Sequence, residues 1–421
     1  MPSLPPPPPP PPPEITLNGQ SKSVLTESEP PALQEKKEKD EKDEEKQQPA
    51  QEEPSPPKEA YERISQVGEG TYGKVYKARV ADTSGFVALK RIRMENEFDG
   101  FPVTALREVK LLQSLNHENI ICLREMLFSK GYIYMVFDYM EHDLTGLLHH
   151  PNIEFTPAHI KSLTAQLLQG LHYMHEQGVL HRDLKGPNIL IGKDGLLKIA
   201  DFGLARFYAK TAKHDYTNRV FTVWYRPPEL LFGATVYGPE VDMWSAGCIF
   251  LELFTRKPIF QGDDEINQLD VIFKITGTPS SDNWPAFEDL PWYELIKPKQ
   301  VIPSRFKEYF EMKWAKSRAT PATLQLAESF LSLNPSDRVS ARQALDFPYF
   351  VAEDPPPEMP DLVMMGLQGE YHDLTTKPSK RKQHGQQQKQ HPTNYHNHTS
   401  QRSHRSQSQS QSHSAAQQQH Q

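Results

Sequence analysis

The spacing of hydrophobic positions changes character partway along this 421-residue chain. From Tyr61 the string YERISQVGEGTYGKVYKARVADTSGFVALKRI sets β-branched and aromatic residues between glycines and an Asp-Thr-Ser-Gly turn, which predicts antiparallel strands. FPVTALREVKLLQSL follows, with Val103, Leu106, Val109 and Leu112 as the apolar stripe of an amphipathic helix. IYMVFDYM predicts another strand. From His142 the period is helical. TPAHIKSLTAQLLQGLHYMHEQG has an N-cap at Thr156, Pro157 at the first helical position and Gly178 past the end. PEVDMWSAGCIFLELFT and PATLQLAESFLSL predict later helices. The expected architecture is α+β and bilobal: a mostly β N-lobe with one helix over 61–139, and a mostly α C-lobe over 140–350.

The flanks lack such patterning. Pro5 to Pro13 is unbroken proline, which favours a polyproline II rod and suits an SH3- or WW-type partner. EKKEKDEKDEEK from Glu35 alternates in sign without apolar anchors and reads as a solvated spacer, with a docking helix as the alternative. Residues 1–57 and the Gln-, His- and Ser-rich 383–421 are expected to be disordered, with 351–382 as a C-terminal extension. The 38 prolines and a 37% hydrophobic share agree with a folded middle between such tails.

Net charge is −7, which argues against bulk electrostatic binding of nucleic acid, although no acid follows Asp373 while Lys377, Lys380, Arg381 and Lys382 do. Cys122 and Cys248 sit far apart and make neither a disulfide framework nor zinc spacing, so a reducing compartment is expected. The poly-proline start is no secretory leader, and the best apolar run, GCIFLELF, is short and carries Glu252, so no membrane span is expected.

Chemistry enters at three places. GEGTYGKVY holds Gly68, Gly70 and Gly73 at G-x-G-x-x-G, where backbone can approach phosphates. A dinucleotide loop shares that spacing but opens a helix, whereas a strand follows here. VALK ends an apolar strand in Lys90, which must snorkel to solvent or meet an anion, and the following helix offers Glu108. Third, HRDLKGPNILIGKDGLLKIADFG places Asp183, Lys185, Asn188 and Asp201 within one short stretch, at the spacing of H-R-D-L-x-x-x-N followed by D-F-G.

Over about residues 61–350 these motifs resemble the eukaryotic protein kinase family. The resemblance implies the bilobal kinase fold, ATP and Mg2+. Asp183 would accept the substrate hydroxyl proton, Lys185 would neutralise the transferring phosphate, Asn188 and Asp201 would hold metal, and Lys90 with Glu108 would engage the α/β-phosphates. The lid would be Gly68, Glu69, Gly70, Thr71, Tyr72, Gly73 and Lys74; Val67, Val75, Ala88 and Leu190 would sandwich adenine; Phe137 would close its back; Asp138 and Met140 would bond it through their backbone; and Asp143 would meet the ribose. The family's A-P-E is Pro227-Pro228-Glu229 here, with Arg338 as its ion-pair partner, and Asp242 would organise the catalytic loop. HRDLK resembles serine/threonine kinases. A pseudokinase scaffold with poly-proline docking arms is the reading of another class, disfavoured because Lys90, Glu108, Asp183, Asn188 and Asp201 are all present.

Within the family, PVTALRE (Pro102, Val103, Thr104, Ala105, Leu106, Arg107, Glu108) resembles the cyclin-contacting helix of cyclin-dependent kinases. That resemblance implies inhibitory phosphorylation at Thr71 and Tyr72, activating phosphorylation at Thr217, and a phosphate clamp of Arg107, Arg182 and Arg206. It also implies proline-directed specificity through Arg226, with Phe221 where valine is usual. Gly186-Pro187, YTNRVFTVWYRPPELL and GEYHDLTTKPSKRK resemble the transcriptional branch that phosphorylates the RNA polymerase II C-terminal repeat, so a cyclin partner, that repeat as substrate and a nuclear location are expected. The alternative is a cell-cycle or elongation-factor-type cyclin-dependent kinase.

Overall fold

The computed structural model describes residues 60–70, 73–81, 83–93, 102–209, 215–314 and 319–373. The sequence readings on the poly-proline, charged and Gln/His-rich segments, on the basic cluster after Asp373, and on Thr71 and Tyr72 lie outside those residues.

The N-lobe is a five-stranded antiparallel sheet in the order β1-β2-β3-β5-β4. Its strands are β1 (Tyr61–Gly70), β2 (Gly73–Val80), β3 (Phe86–Ile92), β4 (Leu123–Ser129) and β5 (Tyr132–Asp138), with helix α1 (Val103–Ser114) between β3 and β4. Pairing of β1 with β2 closes Gly70 against Gly73. Gly73 has φ +150, and a Cβ there would stand 1.9 Å from the Arg91 carbonyl oxygen, so glycine is required at this corner of the lid. Tyr76, Ala78, Val87, Leu89, Tyr134 and Val136 form a separate small core in the sheet. β4 pairs at the sheet edge with mostly exposed side chains, so it carries little of the alternation that betrays a strand.

Helix α1 corrects the expected stripe. Its buried face is Ala105, Glu108, Leu111 and Leu112, while Val103 and Leu106 are 61% and 54% exposed. At 100° per residue, positions 105, 108 and 112 share one face and positions 103 and 106 another. The inward face is therefore the one that points Glu108 at Lys90.

In the C-lobe, β6 (His142–Asp143), β8 (Ile189–Ile191) and β9 (Leu197–Ile199) form a three-stranded sheet, and β7 (Val179–Leu180) pairs with β10 (Arg206–Phe207). The helices are α2 (Leu144–His149), α3 (Pro157–Glu176), α4 (Pro228–Leu231), α5 (Glu240–Thr255), α6 (Glu265–Thr276), α7 (Tyr293–Ile296), α8 (Phe306–Trp314), α9 (Pro321–Phe330), α10 (Ala341–Leu345) and α11 (Pro348–Val351). Thr156 caps α3 by accepting the His159 N–H, and Pro157 at the first helical position carries no N–H that the first turn would leave open. Helix α5 is buried without a gap from Val241 to Leu253 and is apolar on most of its surface, with Asp242, Ser245 and Glu252 as its buried polar residues.

The chain stays packed past residue 350. Leu362 and Leu367 are buried, and the Leu362 N–H donates to the Lys193 carbonyl at 3.0 Å. Tyr371 forms a parallel bridge with His142, and the Asp143 N–H donates to its carbonyl at 3.1 Å. A Cβ on Gly146 would lie 2.4 Å from that same carbonyl oxygen, so the first turn of α2 needs glycine to admit the segment. No helix among the described residues is long and apolar enough to cross a membrane.

Candidate active site

Three elements converge on the Lys90 ammonium. Lys90 on β3 lies 2.7 Å from Glu108 Oε1 on α1 and 2.8 Å from Asp201 Oδ1 after β9. Burial works against the charged amine, but Asp201 and then Glu108 overcome it and hold its pKa above the ordinary lysine range. Burial likewise opposes the Asp201 carboxylate, and Lys90 foremost, with His181 and Lys185, keeps its pKa below the usual value. Asp201 thus stays ionised with 36% of its side chain exposed, at φ +63, a backbone conformation held by its surroundings.

The catalytic loop hangs from α5. Asp242 is fully buried; its Oδ2 accepts the His181 N–H at 2.9 Å and its Oδ1 the Arg182 N–H at 2.9 Å, while His175 Nε2 approaches to 3.0 Å. Burial would raise its pKa, but His175 and the loop amides lower it. His181 Nδ1 accepts the Asp183 N–H at 3.2 Å, which leaves Nε2 protonated to donate to the Ala200 carbonyl at 3.0 Å. Its ring meets Phe202 edge-on. Held this way, Asp183 Oδ2 takes Lys185 Nζ at 2.6 Å and Asn188 Nδ2 at 3.1 Å, and the same amide bonds the Asp183 carbonyl at 2.7 Å. Asp183, Lys185, Asn188 and Asp201 are therefore drawn together, with Lys90 and Glu108 behind Asp201.

Between the lobes, Val67, Val75, Ala88 and Leu190 are part-buried, and Phe137 and Met140 are buried. Gly68, Glu69, Gly70, Gly73 and Lys74 make up the described part of the lid hairpin. Asp143, expected to meet the ribose, has both carboxylate oxygens engaged by backbone N–H groups. Its Oδ1 accepts the Gly146 N–H at 2.7 Å as the cap of α2, and its Oδ2 accepts the Asp373 N–H at 2.7 Å. Glu370 beside it bonds the Tyr139 hydroxyl at 2.8 Å and pairs with Lys77 of β2. The sequence reading noted GEYHDL as an extension and missed this strap, for which no local periodicity gives a signal.

Of the three arginines expected to clamp a phosphate, Arg182 and Arg206 meet at the Leu204 carbonyl, at 2.9 and 3.5 Å. Arg182 also donates to the Tyr237 hydroxyl at 2.9 Å, which donates to the carbonyl of exposed Thr217 at 2.7 Å. Arg107 stands half-buried on α1. Farther along, Arg226 Nε donates to the Val220 carbonyl at 2.8 Å and Nη2 to the Phe221 carbonyl at 3.1 Å. Phe221 has φ +66, and its ring is buried with Leu180, Leu230, Tyr237 and Val241, so the larger residue fills core rather than the exposed surface. Arg338 closes on Glu229 with two bonds of 2.6 and 2.7 Å.

A two-lobed chain with a glycine-cornered lid, a lysine shared by a helix glutamate and a D-F-G aspartate, and a catalytic loop anchored on a buried helix aspartate has the build of a protein kinase. The protein kinase domain family matches residues 61–350, and the chain belongs to that family. Its relatives lie in the cyclin-dependent branch. It is 53% identical over 326 residues to CTD kinase subunit alpha of Schizosaccharomyces pombe, covering 77% of this chain and 54% of that protein. It is 49% identical over 315 residues to cyclin-dependent kinase C-1 of Oryza sativa subsp. japonica, covering 71% and 60%. It superposes on a chain of the crystal structure of the yeast RNA Pol II CTD kinase CTDK-1 complex with TM-score 0.68 and 44% identity, covering 74% of this chain and 99% of that one. The chain thus spans little more than half the length of the curated relatives it matches.

Proposed function

We propose that this chain is the catalytic subunit of a cyclin-activated, proline-directed serine/threonine protein kinase that uses ATP and Mg2+ to phosphorylate the RNA polymerase II C-terminal repeat in the nucleus. The observation that carries the phosphotransfer reading is the Lys90 ammonium held between Glu108 and Asp201 at 2.7 and 2.8 Å. The substrate and the branch rest on similarity to CTD kinase subunit alpha and to the CTDK-1 chain.

In this reading Asp183 accepts the proton of the attacking hydroxyl, and Lys185, 2.6 Å from it, offsets charge on the transferring phosphoryl group. Lys90 orients the α/β-phosphates while Glu108 fixes the amine. Phosphoryl transfer asks little covalent chemistry of the protein, so this constellation acts through position and charge. Asp201 and Asn188 supply hard oxygen donors, one of them an ionised carboxylate, and two such ligands suit a small divalent cation that completes its shell with phosphates and water. Bound there, the ion would neutralise β- and γ-phosphate oxygens. Val67, Val75, Ala88, Leu190 and Phe137 enclose adenine, and the Asp138 and Met140 backbone bonds it.

A cyclin would sit on the outer face of α1, where Val103 and Leu106 are exposed beside the Pro102 start. Phosphate on Thr217 would draw Arg182, Arg206 and Arg107 together. The kinase unit is taken as 61–350 with its extension packed to Asp373, between tails that include an SH3- or WW-type ligand and a basic nuclear-import segment. The complex purified with its co-expressed cyclin tests the reading. A polymerase heptad peptide should outcompete a histone-type Ser-Pro-x-Lys peptide; the reverse order favours a cell-cycle kinase. Full activity of the lone chain without Thr217 phosphate would remove the cyclin from the scheme.

A further inference from the structure

The proline preference inferred above rests on Arg226, whose guanidinium turns the Phe221 carbonyl away. Arg226 is 7% exposed, so its charge is largely withdrawn from water and needs an opposite charge at hand. Two of its nitrogens are spent on the Val220 and Phe221 carbonyls. The third, Nη1, lies 2.5 Å from Glu265 Oε1, at the first residue of α6.

We infer that Glu265 is a positioning residue for substrate choice: by pairing with Arg226 it holds the Phe221 carbonyl out of the substrate groove and makes the site favour proline after the phosphorylated residue. The inference rests on the proline-directed reading above and deepens it. Phe221 has φ +66, a left-handed conformation that costs a bulky residue and persists only while something holds it. Without the carboxylate, the buried guanidinium gains by swinging toward solvent, and it releases both carbonyls as it goes. Phe221 then relaxes, and its peptide unit can offer an acceptor to the amide N–H of an ordinary residue in that subsite. Proline has no such N–H and gains nothing.

The start of α6 is placed for this task. The Trp224 indole N–H donates to the Gly262 carbonyl at 2.9 Å, and Gln268 Oε1, fully buried, accepts the Gly262 N–H at 2.7 Å. The loop before α6 is thus stitched to the segment that carries Arg226. The capping of α6 is a separate matter: Asp264 Oδ1 accepts the Asn267 N–H at 2.8 Å and is not among the partners of Arg226. Glu265 keeps 41% of its side chain exposed, so the pair is buried on the Arg226 side and open to water on the other.

The test compares kcat/KM for matched Ser-Pro and Ser-Ala peptides in the cyclin-bound, Thr217-phosphorylated complex. Glu265→Ala should lower the Ser-Pro to Ser-Ala ratio by about tenfold, through relative gain of the Ser-Ala peptide in KM. Glu265→Gln, which keeps the volume and an acceptor but not the charge, should fall between. Asp264→Ala loosens the same helix start without touching Arg226 and should leave the ratio at the wild-type value. A ratio unchanged in Glu265→Ala, whatever happens to turnover, overturns the inference, as does an equal fall in Asp264→Ala. A wild-type complex that phosphorylates both peptides equally well would instead remove the proline-directed reading, and the brace with it.

Discussion

The Tyr225 hydroxyl donates to Glu252 Oε2 at 2.6 Å, joining the segment before Arg226 to the interior of α5. Glu252 is 2% exposed, and burial pushes its pKa up to about 7, against the opposing effect of the Tyr225 bond. The folded protein therefore keeps a proton there that the unfolded chain, titrating near 4.5, gives up. Stability from this group is fullest below about pH 4.5 and is lost as pH rises through about 7. Glu252→Gln should raise stability at pH 8 by about 2 kcal/mol and change it little at pH 4.5. Urea melts at the two pH values check this; an equal effect at both would show that packing, not charge, governs the site.

Asp242 supports the loop that carries Asp183. Asp242→Ala strands two buried N–H groups, those of His181 and Arg182, and should cost about 3 kcal/mol of stability. Asp242→Asn keeps one acceptor and should cost less. Because the folded pKa of Asp242 is depressed, its contribution is present above pH 3.8 and is lost as pH falls through the folded value. Thermal melts from neutral pH into acid read both effects.

On the proposed function, Lys90→Met should reduce phosphoryl transfer by about a thousandfold or more, because it removes the charge assigned to the phosphates. Asp201→Asn should do the same if the carboxylate holds metal as proposed. Intact phosphoryl transfer in Asp201→Asn, measured with radiolabelled ATP, would mean the metal assignment is wrong.

Lys161 is buried, and its ammonium rests on the carbonyls of Glu353 and Pro355, the latter at 2.7 Å. A chain that stops at residue 350 leaves this cation without those oxygens. It should be less stable than a chain that stops at 373 by about 3 kcal/mol, and Lys161→Met should recover part of the loss in the shorter chain only. Scanning calorimetry of the four proteins decides it.

How much of this the sequence disclosed follows the range of each interaction. The lid strands, α3 with its Thr156 cap, and the loop from His181 to Gly203 are local, and their residues announce them. β4 escaped because an edge strand with exposed side chains has weak alternation. The stripe on α1 was misjudged because a lysine on β3, not apolar packing alone, decides which face turns inward. Glu229 with Arg338, and Asp242 with the catalytic loop, were placed by resemblance. Lys77 with Glu370, separated by 293 residues, and Arg226 with Glu265, separated by 39, leave no mark in periodicity or composition. The bond from the Asp373 N–H to Asp143, across 230 residues, likewise leaves no sign in the sequence around either one.

The outward Val103 and Leu106 have a thermodynamic corollary. They share a helix with Glu108, so a protein that covers them and a nucleotide that engages Lys90 act on the position of one rigid element. Binding linkage then makes the two reciprocal: whatever factor the covering protein adds to nucleotide affinity, the nucleotide must return to the affinity for that protein. Measuring the partner's dissociation constant with and without nucleotide therefore reports the coupling between the two faces of α1 without a single turnover.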